Sequence, residues 1–170
     1  MAVEPPAFPY EHEACMVATW RSIVMPVMGK RAIPPASAQH QVNALQAFGQ
    51  RLGKGKMAEI SIIANDAPMP EAETRAVLEK GVPVVSPFYA CVGAVYEGTG
   101  FRAALVRGVL TSFQLLSRSK YPQRTFASVE ECARWIFPLL PPIGMVVASP
   151  EEIVAAVEAV RGYALSKGVL

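Results

Sequence analysis

The chain is short of the residues most chemistry needs. Among 170 residues there is a single aspartate, Asp66, with two histidines, His12 and His40, and three cysteines, Cys15, Cys91 and Cys132. No His/carboxylate cluster has the spacing of a metal site, and no Cys-x-x-Cys pair offers a zinc knuckle or a thioredoxin-type redox couple. No Gly-x-Ser-x-Gly elbow supplies a nucleophilic serine. Charged residues are also sparse, at 18%, and 16 Lys+Arg against 14 Asp+Glu leave a net charge of +2. A global basic field, the usual footprint of a nucleic-acid binder, is therefore missing, and nucleic acid is not expected as a partner. Long apolar runs are missing too. The uncharged stretches 81–96 and 135–148 are broken by prolines and fall short of the roughly 20 residues of a membrane-spanning helix. The start of the chain, with Glu4, Pro5 and Pro6, lacks the basic and apolar regions of a secretory signal. A soluble cytoplasmic protein with three buried, reduced thiols is expected.

What is present is a large apolar fraction, 52%, with a mean hydropathy of +0.28. That is enough for one domain with a sizeable core. Residues 1–12 read as a loose proline-rich lead. Residues 14–28 are apolar and partly β-branched, a strand with a possible break at Arg21-Ser22. Ser37 is a candidate N-cap for a helix carrying Val42, Leu45, Phe48 and Leu52, with Gly53 as its stop. A central strand follows at 59–64, then Asn-Asp-Ala-Pro turn chemistry at 65–68. Pro70 opens a helix with Glu71 and Glu73 in its first turn and Gly81 as its close. A strand over Tyr89–Tyr96, a Gly98-Thr99-Gly100 turn, a helix over 101–117 and a strand over 123–127 come next. Ser128 to Glu131 and Ser149 to Glu152 each have capping-box spacing, and Gly168 can end the last helix. Strands alternating with helices favour a mostly parallel sheet with helices packed on it, an α/β fold of four to five strands with one extra C-terminal helix. The expected organisation is a lead over 1–12, an α/β domain over 13–148, and a terminal helix over 149–170 packed on the domain or on a partner.

The run EISIIANDAPMPEAETRAVL from Glu59, followed by VYEGTGFRAALVRGVLTSFQLLSRSKYPQRTFASVEECARWI from Val95, resembles a bacterial group frequent in myxobacteria. That group is STAS-like, a class whose best-known members are anti-sigma-factor antagonists. The match spans roughly residues 14–137. The resemblance implies a four- or five-stranded sheet with helices on one face, and regulation through protein–protein contact rather than catalysis. In the antagonists a Ser or Thr after the central strand is phosphorylated at the next helix start. Here Ala67 and Pro68 occupy that neighbourhood without a hydroxyl, leaving Asp66 as a fixed negative charge in the pseudo-phosphosite region, or as a plain turn aspartate.

Two further features could bind something. Gly98, Thr99, Gly100 and Arg102 lie between a strand and a helix, where backbone N–H groups can hold a small anion such as a nucleotide or phospholipid headgroup. From Gly98 to Val129 there are five basic residues, Arg102, Arg107, Arg118, Lys120 and Arg124, and no acidic one. Arg107, Arg118, Lys120 and Arg124 can face an acidic partner, and Ile153, Val157 and Val160 form an apolar stripe that can seal against another protein or a second copy of the chain. Paired glutamates at 71/73, 130/131 and 151/152 sit in first turns, where capping explains them. The expected function is a non-catalytic regulatory or scaffolding module acting through protein–protein interaction, without metal or cofactor. The alternatives are a binder of a small anionic or apolar ligand, such as a lipid beneath the C-terminal helix, and, remotely, an enzyme using Glu or Cys.

Overall fold

The computed structural model describes residues 4–100, 103, 104, 106, 108 and 120–170. It is an α/β fold around a six-stranded mixed sheet whose spatial order equals its order in sequence. The strands are β1 (Ala7–Glu11), β2 (Cys15–Trp20), β3 (Ile23–Met28), β4 (Met57–Ile63), β5 (Tyr89–Tyr96) and β6 (Gln123–Phe126). The first three pair antiparallel, and β3 to β6 run parallel. The parallel part agrees with the alternating pattern; the antiparallel part and the strand count do not.

Both differences come from the first 28 residues. The 1–12 lead contains an edge strand, β1. Its pairing slips between Ala7 and Tyr10, and Pro9 lies in that slip, where its missing N–H removes no ladder bond. The slip also turns Phe8 and Tyr10 to opposite faces. Phe8 stacks on Tyr163 at 3.9 Å, while Tyr10 stacks on His40 at 5.7 Å. Residues 14–28 form a hairpin instead of one strand, with Trp20 paired to Ile23 across Arg21-Ser22. A two-residue loop of this kind needs positive φ, and Arg21 adopts φ 53°. Its guanidinium is held by Glu152 Oε1 at 2.7 Å and the Val146 carbonyl at 2.8 Å, and lies over the Trp20 ring.

Helices α1 (Pro35–Leu52) and α2 (Ala72–Val85) cover one face of the sheet, and α3 (Val129–Ile136) and α4 (Pro150–Ser166) cover the other. Helices on a single face, as the resemblance implied, are therefore not what is seen. Ser37 does not cap α1. Pro34 holds the cap position and Ser37 is buried one turn inside, because the proline-fixed φ already starts the helix. Gly81 does not stop α2 either. It lies inside the helix because α1 passes so closely that a Cβ there would come within 2.6 Å of Val42 Cγ2. The helix continues to Val85, through Pro83, into a 3-10 turn at Ser86–Phe88. Ser128 Oγ does accept from Glu131 N at 3.2 Å, as its spacing predicts. At the second box Ser149 Oγ bonds no backbone amide, and Glu152 instead accepts from Ala148 N at 2.8 Å. Gly168, at φ 70°, ends α4, and Val169 N closes onto Ala164 O.

The 101–117 helix expectation lies mostly outside the described residues. Within them, Ala103 and Val106 pack with Ile63 and Tyr96.

Candidate functional site

Strand β4 is buried along its whole length, but its two faces differ in chemistry. Ala58, Ile60 and Ile62 point toward α3 and α4, into an apolar core shared with Trp20, Met25, Ile136 and Ile153. Glu59 and Ser61 point the other way, beneath α1 and α2. There they line a cavity of about 250 Å³, just under the roughly 300–1,000 Å³ usual for ligand pockets.

The position of this cavity follows from the backbone. Pro26 stands inside β3, between two paired strands, an unusual place for a residue with no N–H. The β3–β4 ladder pairs Val24 with Glu59 and resumes at Val27 with Ile62, so the Pro26–Ser61 step is unpaired. Pro26, Glu59 and Ser61 all line the cavity. Above, Gln41, Val42 and Leu45 of α1 and Leu78, Gly81 and Val82 of α2 form the roof. Thr74 donates to the Ile33 carbonyl at 2.7 Å, tying the start of α2 to the loop before α1. Ala67, Pro68, Met69 and Pro70 form part of the wall.

The polar groups converge from two strands, the approach to β6 and one helix. Ser61 Oγ donates to Glu59 Oε1 at 2.5 Å, and Tyr89 OH of β5 donates to Glu59 Oε2. Tyr121, just before β6, lies with its ring 5.3 Å from that of Tyr89 and its hydroxyl 3.5 Å from Ser86 Oγ. Burial raises the Glu59 carboxyl above its ordinary range, although the two hydrogen bonds pull the other way. The Tyr89 phenol is pushed up by burial and by the facing Glu59, and Tyr121 is raised mainly by burial. Arg31 is the one cation among the described lining residues, and its side chain is mostly exposed and paired with Glu13. Among the described residues Glu59 thus has no positive partner, a setting that favours the protonated carboxyl.

Gln41 completes the site. It is 2% exposed and its Nε2 has no hydrogen-bond partner. Among the described residues one other buried side-chain polar atom shares that condition, Trp20 Nε1 in the opposite core.

The residues singled out from sequence do not gather here. Asp66 is exposed in the turn after β4, and α2 starts only at Ala72, so Asp66 places no charge at a helix start. Gly98 is half-buried against the Tyr96 ring, and Thr99 and Gly100 are exposed. Arg102, Arg107 and Arg118 lie outside the described residues. Lys120 and Arg124 are exposed at the β6 edge, where Arg124 lies over the Phe126 ring. Ile153, Val157 and Val160 are 0% exposed and belong to the core between α4 and the sheet. They are not an interaction surface, because their stripe is already covered in the same chain. The cavity also lies across the sheet from the C-terminal helix, not beneath it.

The three cysteines are buried and free, with burial pushing Cys15 up to about 11 and Cys91 and Cys132 to about 12. At neutral pH they are thiols, which are poor nucleophiles. His12 Nδ1 accepts from Ala14 N at 3.1 Å in a turn. Among the described residues no group of three His, Cys, Asp or Glu could hold a metal ion, and no helix is long and apolar enough to cross a membrane.

Glu59, Ser61, Gln41 and Pro26 were not singled out from sequence. Two signals were there. Glu59 and Ser61 are polar residues two apart in an otherwise apolar strand, hence on one face, and Pro26 interrupts an apolar strand that has neighbours on both sides. No protein-family model, curated protein or solved structure matches the chain.

Proposed function

We propose that this protein is a non-catalytic binding module whose cavity beneath α1 and α2 takes a small, mainly apolar molecule. The observation that carries the reading is the cavity itself: an apolar enclosure with Glu59, Ser61, Tyr89 and Gln41 on its walls. Ligand sites commonly combine an apolar lining with a few fixed polar groups in this way. The resemblance to STAS-like proteins supports a regulatory setting in the bacterial cytoplasm, in which ligand occupancy alters a contact with another protein.

Thermal-shift measurement against a panel of small apolar compounds tests this, with Ala94→Leu as the control. Ala94 is buried in β5 and lines the cavity, so a leucine there fills it. Compounds that raise the midpoint of the natural protein and not of the variant support the reading, since a ligand stabilises only the state that binds it. The absence of any such compound, or equal shifts in both proteins, overturns it.

A further inference from the structure

The polar groups of the cavity also say what the ligand must carry, an inference that rests on the binding reading above. The floor can be settled by counting hydrogens. Two contacts join Glu59 to its neighbours, one through Ser61 and one through Tyr89. Among the described residues Glu59 has no cationic partner, and its buried, mainly apolar setting favours the neutral acid, with its own O–H. Glu59, Ser61 and Tyr89 then hold three O–H hydrogens for two contacts, so one is left over whichever way the hydroxyls turn. The roof adds a second unused donor, since the buried Gln41 Nε2 has no partner. An unmet buried donor is costly, and a ligand that meets it recovers that cost.

Both walls therefore offer hydrogens and lack an acceptor. We infer that the cavity selects an apolar compound bearing an uncharged acceptor oxygen, of the ketone, ester or amide class, seated between the Glu59–Ser61–Tyr89 floor and Gln41. A cationic amine would satisfy neither surplus donor. A bare hydrocarbon would fill the space and leave both donors unmet.

Three probes on one carbon skeleton separate these cases: benzylacetone, butylbenzene and the primary amine corresponding to benzylacetone, each titrated by calorimetry into the full chain. The ketone is expected to bind roughly tenfold more tightly than the hydrocarbon, the worth of about one well-placed hydrogen bond. In Gln41→Leu that advantage shrinks or vanishes while the hydrocarbon still binds. Gln41→Met, which keeps an unbranched side chain without the amide donor, is a second test should the first variant fold poorly, and it too should lower the ketone's advantage. Equal affinities for ketone and hydrocarbon overturn the inference but leave the cavity as a binding site. Preference for the amine overturns it as well, because Glu59 must then be ionised. If none of the three binds while other apolar compounds still stabilise the protein, the inference fails alone; if no compound binds, the binding reading fails with it.

Discussion

The two faces of the sheet are built from adjacent residues of the same strands, yet they solve different problems. Toward α3 and α4 the β4 side chains are Ala58, Ile60 and Ile62, and the space is filled by Trp20, Ile136, Ile153 and Val157. Toward α1 and α2 they are Met57, Glu59, Ser61 and Ile63, and the space is partly empty and partly polar. One face is organised for stability. The other gives up contact area and buries a carboxyl and an amide, a cost that stability alone does not explain.

The sharpest break in this comparison comes from truncating neighbours on β4. Ile60→Ala opens a hole in a filled core and is expected to cost about 2–5 kcal/mol by urea denaturation. Ser61→Ala, one residue along, is expected to cost less than about 1.5 kcal/mol, because it removes one hydrogen bond beside existing space. Comparable losses would mean the faces are equally packed. Enlarging a residue reverses the test. Ala58→Leu on the filled face should destabilise by about 1–3 kcal/mol, whereas Ala94→Leu on the other should stay within about 1 kcal/mol.

A smaller effect concerns protonation. Ser61, Tyr89 and Tyr121, from β4, β5 and the approach to β6, are the polar groups whose interactions with Glu59 shape this site, and none is a cation. Because the folded protein holds the Glu59 carboxyl above its ordinary value, the unfolded chain ionises it first as pH rises. The associated stability is whole below the ordinary carboxylate range and is lost as pH rises through the folded value. Glu59→Gln cannot ionise. The variant should therefore gain on the natural protein as pH rises above the ordinary carboxylate range, read as the change in the difference of their melting temperatures. A constant difference would show that Glu59 ionises normally in the fold. The smallest effect is expected of Gln41→Leu. It replaces an unmet donor by a side chain of similar size and should be neutral or stabilising by up to about 1 kcal/mol in the absence of ligand.

Most of the filled face was legible in the sequence. The Ser128 cap, the apolar spacing of Ile153, Val157 and Val160, and the Gly168 stop depend on local rules, and these elements form where those rules place them. What the stripe packs against was not legible, since the same spacing serves a sheet in the same chain or a second copy. β1 was hidden by Pro9 and the two prolines before it; an edge strand with a slipped register tolerates Pro9. Gly81 misled because a helix stop and a close helix crossing call for the same residue. The candidate site was less legible still. Glu59 stands between apolar neighbours that alone predict a strand, and Gln41 is a polar residue within the helical stripe of Leu45, Phe48 and Leu52, whose spacing alone predicts only a buried face. What that stripe faces depends on α1 crossing above β4, which no local pattern encodes.

The strand order has a consequence for biosynthesis. Sheet neighbours are also sequence neighbours, so each strand can join the sheet soon after it leaves the ribosome. Helices α1 and α2 arrive between strands and cover their face as it grows. The opposite face must wait for residues 129–166, and until then Trp20, Met25 and Ile60 have nothing over them. Arg21, at the tip of the first hairpin, finds Glu152 only after 131 further residues have been made. The nascent chain therefore carries a sticky half-sheet through most of its synthesis, and a ribosome stalled before α4 would present a natural client for chaperones.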